Sequence, residues 1–176
     1  PNYAQIVVGA GSLIGGLMLL PGSLITAVCQ PWFGHLLDAH GARLPILLGN
    51  SLFVLAALGF TLMGQHLSVI IIAVLYIVFS IGRSMAFSNT MTNGLKEVTI
   101  QQRADANAIY NTGQQFAGSL GTTILAALMS SVKNGQMSYA HETAVGSQLA
   151  FGLILVLGLL NFILYTIVFR YQTTDK

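Results

Sequence analysis

Charge is what this sequence has least of. Asp, Glu, Lys and Arg make up 7% of its 176 residues, against about a quarter in soluble domains, too few to cover a water-soluble fold of this length. Seven Lys and Arg stand against five Asp and Glu, a net charge of +2, without the basic cluster that nucleic acid requires. No nucleic-acid partner is expected. The single cysteine, Cys29, lies in an apolar run, so it has no intrachain disulfide partner and reads as a packing residue. His35, His40, His66 and His141 stand apart, and no His, Cys, Asp or Glu group has metal-ligand spacing. No metal, cofactor or catalytic group is expected, and a membrane-embedded enzyme is the least favoured reading. The chain opens at Pro1 without an initiator Met or a basic leader segment, and the expectation is that residues upstream have been cut away.

What the sequence has in abundance is apolar length. Hydrophobic residues are 54% of the chain, and a bilayer crossing needs about 20 of them in a row. Five segments qualify, at residues 10–33, 44–63, 67–92, 108–132 and 148–169. The expected fold is all-α and integral to the membrane, a single domain over residues 1–176, with lipid as its surrounding partner. Pro45 fits the first turn of the second span, where a missing N–H leaves nothing unpaired. Pro21-Gly22 predicts a kink within the first, because proline removes a helical hydrogen bond. Arg43, Lys96, Arg103, Arg170 and Lys176 fall on one side and Lys133 on the other. Retention of basic loops in the cytoplasm then puts the C-terminus inside, in a multi-pass protein of the cell (inner) membrane.

The spans are of two kinds. The second and fifth carry few polar groups and can face lipid. In the fourth, Asn111, Gln114, Gln115, Gly118, Ser119 and Thr122 recur at helical spacing on one face. In the third, Tyr76, Ser80, Arg83, Ser84, Phe87 and Ser88 form a similar stripe. Polar faces in a bilayer point into a bundle or a water-filled cavity. Here they define either a substrate pathway or, with Gly113, Ala117, Gly118 and Gly121, a surface for close helix packing. Arg83 is the one charge well within a span. It is placed toward the cytoplasmic end, where it either serves the pathway or reaches the headgroups. Every carboxylate (Asp38, Glu97, Asp105, Glu142, Asp175) is expected in a loop or tail.

The sharpest pattern follows the first span. Gly34, Leu36, Asp38, Gly41 and Arg43 spell G-x-L-x-D-x-x-G-x-R. Gly34 permits close backbone approach, Asp38 caps a helix or pairs with a cation, and Gly41 permits a tight turn. This pattern resembles the loop that members of the major facilitator superfamily carry between the second and third helices of each six-helix half. The stretch GGLMLLPGSLITAVCQPWFGHLLDAHGAR is similar to the C-terminal half of the 14-span drug:proton antiporters, and NAIYNTGQQFAGSLGTTIL resembles their Gly-rich penultimate helix. Where the family loop has a basic residue after the Asp, this chain has Ala39.

The resemblance implies that the five spans are the last five of such a transporter, forming most of its C-terminal six-helix bundle. Residues 1–9 would end the preceding helix. Spans one, three and four would line the central cavity, with Arg83, Phe87, Asn111, Gln114 and Gln115 at the substrate. The loop of Gly34, Leu36, Asp38, Gly41 and Arg43 would set the conformational equilibrium. The implied function is proton-coupled export of hydrophobic or cationic small molecules by alternating access, in partnership with the N-terminal bundle absent from this sequence. With no carboxylate expected inside a span, the coupling carboxylate is expected in that absent part. A non-transporting membrane module that assembles with a partner chain through small-residue faces is the alternative.

Overall fold

A computed structural model describes residues 2–132 and 138–174. The chain forms helices α1 (Asn2–Ile6), α2 (Ser12–Leu17), α3 (Leu20–His40), α4 (Arg43–Leu62), α5 (Val69–Lys96), α6 (Arg103–Ser130) and α7 (Tyr139–Thr174), with one 3-10 turn (Ile100–Gln102) before α6. Lys133, Asp175 and Lys176, three of the charges weighed above, lie outside the described residues.

Among the described residues, four helices are long and apolar enough to cross a bilayer: α2 with α3, then α4, α5 and α7. The fourth sequence segment is also a continuous helix, α6, but it is more polar and falls short by composition.

The proline signals resolve differently from one another. Pro45 lies in the first turn of α4 as expected. At Pro21 the chain does not kink within one helix; it breaks at Met18–Leu19 and restarts, leaving Pro21 in the first turn of α3. A proline ring collides with the carbonyl four residues back, here that of Leu17, so the helix ends just ahead of it. Pro31, by contrast, is accommodated inside α3.

The helices also run past the apolar segments. α3 continues to His40, α5 to Lys96, and α7 begins at Tyr139, nine residues before the expected start at 148. Hydropathy marks where lipid is tolerated, whereas the backbone ladder continues until a cap or turn residue stops it. Three carboxylates expected in loops are therefore helical: Asp38 in α3, Asp105 in the first turn of α6 and Glu142 in the first turn of α7, where it is buried. New helices start at capping side chains. The Ile71 N–H donates to Ser68 Oγ at the head of α5, and Thr99 with Gln102 forms a capping box before α6.

α5 is the centre of the bundle, packed on α4 and α3, with α7 behind α4. The α4–α5 contact is made by backbone rather than side chains. A Cβ on Gly49 would lie 2.6 Å from the Ala86 nitrogen and 2.8 Å from the Gly82 carbonyl, and one on Gly82 would lie 2.7 Å from the Gly49 carbonyl. Only glycine permits that approach, which is how helices adhere in lipid without a hydrophobic driving force. Phe53 and Phe79 then pack beside the crossing, tilted at 36° with ring centroids 4.8 Å apart.

α4 and α7 are joined by a hydrogen bond between asparagines, of which Asn50 is buried. Asn161 Nδ2 donates to Asn50 Oδ1 at 2.7 Å, and Asn50 Nδ2 donates back to the Ile46 carbonyl at 2.9 Å. Their outer faces carry Leu48, Leu55, Leu62, Leu157, Leu160 and Leu164 in the open, a surface suited to acyl chains and not to water.

α6 is held only near its ends. Tyr110 packs its hydroxyl on Gly94 of α5, and Met129 lies against Gly146 of α7. Between these points no residue of α6 is buried, and a Cβ at Gly113, Gly118 or Gly121 would meet nothing within 4 Å.

Candidate functional site: a polar cleft between α3 and α5

The stripe on α5 faces a partner stripe on α3. Ser23, Thr26, Ala27 and Gln30 occur at i, i+3, i+4 and i+7, and with Tyr76, Ser80, Arg83 and Ser84 they line a cleft of about 420 Å³. The helices close on each other where the Tyr76 ring lies over Gly22, whose Cβ would sit 2.7 Å from the ring. Lower down, Gln30 bridges them: its Nε2 donates to Ser84 Oγ at 2.7 Å, and its Oε1 accepts from Ser88 Oγ at 3.3 Å. Thr26 Oγ1 is buried without any hydrogen-bond partner, which normally costs about 1–3 kcal/mol.

Arg83 is the fifteenth of the 28 residues of α5, at mid-helix. Its side chain also lines a second cavity, of about 340 Å³, with Asn50, Phe53, Ala86, Phe87, Thr90, Asn161 and Tyr165. There Tyr165 Oη donates to Thr90 Oγ1 at 3.0 Å. No carboxylate lines either cavity.

The expected site residues thus divide. Arg83 and Phe87 share a cavity wall. Asn111, Gln114 and Gln115 are exposed on α6 and line neither cavity; Asn111 is turned back onto Asn107, donating to its carbonyl at 2.8 Å and its Oδ1 at 3.0 Å. Ser23, Thr26 and Gln30 were not singled out from sequence, although their helical spacing in the first span carried the same signal as the stripe on α5.

The motif after the first span is mostly not a loop. Gly34, Leu36 and Asp38 belong to the last turns of α3, Gly41 makes the turn with φ of 75°, and Arg43 opens α4. A positive φ of this size favours glycine. A Cβ on Gly34 would meet nothing within 4 Å of this chain. Asp38 does not pair with Arg43; its Oδ1 accepts from Lys96 Nζ at 3.2 Å, joining the end of α3 to the end of α5. Arg43 is exposed beside His40 and Leu44.

A helical membrane bundle with a polar cleft along its central helix is the architecture of a polytopic membrane carrier. The sequence profile of the Major Facilitator Superfamily matches residues 1–122, and the chain belongs to that family. It is 36% identical over 146 residues to the lincomycin resistance protein LmrB of Listeria innocua, covering 83% of this chain and 30% of that protein. It is 31% identical over 166 residues to the uncharacterized MFS-type transporter YcnB of Bacillus subtilis, covering 93% of this chain and 35% of that protein. To the multidrug resistance protein Stp of Mycobacterium tuberculosis it is 25% identical over 144 residues, with 82% and 27% covered. No solved structure matches. The chain therefore spans about a third of the length of the curated relatives it matches.

Proposed function

We propose that this chain is most of the C-terminal bundle of a proton-coupled exporter of hydrophobic compounds, which works by alternating access against an N-terminal bundle. The observation that carries this reading is the polar α3–α5 cleft in a helix bundle whose α4 and α7 faces are apolar. In the proposed arrangement α6 is the fifth crossing. Its open polar face, with Asn111, Gln114 and Gln115, would meet the pathway once the other bundle is in place. The names of relatives that confer lincomycin or multidrug resistance support a drug-like cargo. The resemblance extends to cationic drugs, but a cation would need a carboxylate from elsewhere in the protein, since neither cavity here has one. The C-terminus lies in the cytoplasm in this reading, with Arg43, Lys96 and Arg103 on the same side.

The test is reconstitution of the complete protein in liposomes with an imposed pH gradient, following lincomycin. Movement coupled to the gradient and abolished by a protonophore is expected. Movement that is unaffected by the protonophore would remove proton coupling, and absence of movement in an otherwise folded protein would favour the assembly-module alternative.

A further inference from the structure

Arg83 has a full charge, a mid-helix position and no acidic partner among the described residues. The Asp38–Lys96 pair lies at the helix ends. Thirteen residues of α5 follow Arg83, about 20 Å of helix. The Arg83 side chain is exposed along the cleft and not enclosed by the bundle; a guanidinium on a membrane-crossing helix with no acid beside it favours an oxyanion, and its fork of five N–H donors matches a carboxylate or sulfonate in two-point contact.

The surroundings supply the rest of such a site. Ser23 donates to the Leu19 carbonyl at 3.2 Å, and Gln30, Ser84 and Ser88 are engaged with one another. Thr26 Oγ1 is buried and unpartnered, on the α3 wall of the cleft that Arg83 lines from α5. On its other side Arg83 borders the cavity walled by Phe53 and Phe87. Volumes of about 420 and 340 Å³ exceed what one carboxylate side chain from another helix would fill, and fall in the range of small-molecule pockets, about 300–1,000 Å³.

We propose that the α3–α5 cleft is a subsite for the oxyanion head group of an amphiphilic small molecule, held by Arg83 and Thr26 with its apolar body along Phe53 and Phe87. The proposal rests on the transport reading only for the movement of that molecule; binding follows from the geometry alone. It reverses the charge preference that the resemblance implies.

Two probes that share a fluorophore decide it: dansyl-taurine, with a sulfonate head, and dansyl-aminoethyl-trimethylammonium, with a cationic one. Binding of each to the purified complete protein in detergent is followed by dansyl fluorescence. The sulfonate is expected to bind tighter by about tenfold, the scale of one charge-assisted hydrogen bond. Arg83→Gln should erase that preference by weakening the sulfonate and leaving the ammonium unchanged, while Arg83→Lys keeps part of it. Thr26→Val, which replaces an unpartnered hydroxyl and keeps the shape, should weaken the sulfonate alone and carries the test if Arg83→Gln fails to fold. Equal binding of both probes by the parent, or equal loss of both in a folded Arg83→Gln protein, would overturn the subsite. Sulfonate binding with no gradient-driven movement of either probe or of lincomycin would overturn the transport reading and leave the subsite standing.

Discussion

Gly49→Val is expected to separate α4 from α5 and unfold the bundle. The added Cβ would fall 2.6 Å from the Ala86 nitrogen and 2.8 Å from the Gly82 carbonyl, and both are main-chain atoms that no rotamer change can move. Relief requires the helices to part by an ångström or more. That parting would strip contacts from Phe53 and Phe79 and disturb the buried Asn50 beside the crossing. Overpacking alone costs about 1–3 kcal/mol. Thermal unfolding of the complete protein in detergent should therefore show a loss of folded material. The control is Gly152→Ala on α7, whose new Cβ would meet only Thr61 Cγ2 at 3.9 Å, and which should melt with the parent. Equal melting of Gly49→Val and the parent would mean that the α4–α5 crossing is looser than described.

Asp38→Asn should separate stability from function. The Asp38–Lys96 pair is well exposed, with 72% and 51% of the two side chains accessible. Pairs of that kind contribute about 0–1 kcal/mol to folding, so the melting temperature should hardly move. Transport by the complete protein should nonetheless fall by an order of magnitude or so, because the pair ties the ends of α3 and α5, the two helices that wall the cleft. A tie made in one state and broken in another shifts the balance between them by its differential free energy. The exchanged pair Asp38→Lys with Lys96→Asp should recover part of the lost rate. Full transport by Asp38→Asn, or a matching collapse in melting temperature, would deny the residue a conformational role.

Much of the fold was legible because lipid imposes a simple code. Every backbone group in a bilayer must be satisfied within its own segment, so apolar length alone located α4, α5 and α7. The polar stripe on α5 was legible for the same reason, since Ser80, Ser84 and Arg83 stand out at helical spacing against an apolar background. Helix ends were not legible. The last turns of α3 are written in the same residues as a loop, His35, Asp38 and His40, and only Gly41 marks the turn. The partner of the α5 stripe was written at the same spacing in Ser23, Thr26 and Gln30, but that the two stripes face each other depends on how α3 packs on α5. Pairing Asp38 with Lys96 depends on two helix ends meeting across 58 residues of chain, and periodicity within one helix does not encode that.

The account stands on the α3–α5 cleft being a water-filled pathway that opens to each side of the membrane in turn. Its most direct test is thiol accessibility in the complete protein freed of native cysteines, with Cys29→Ser in this chain. Gln65→Cys and Thr174→Cys mark the two sides, the first reacting with an impermeant methanethiosulfonate from outside and the second only from the cytoplasm. Ser23→Cys, on the cleft wall, should react from both sides, and dansyl-taurine should slow it. Leu157→Cys, on the lipid-facing side of α7, should react from neither. A Ser23→Cys protein as inert as Leu157→Cys would place the cleft inside a sealed bundle and contradict the pathway.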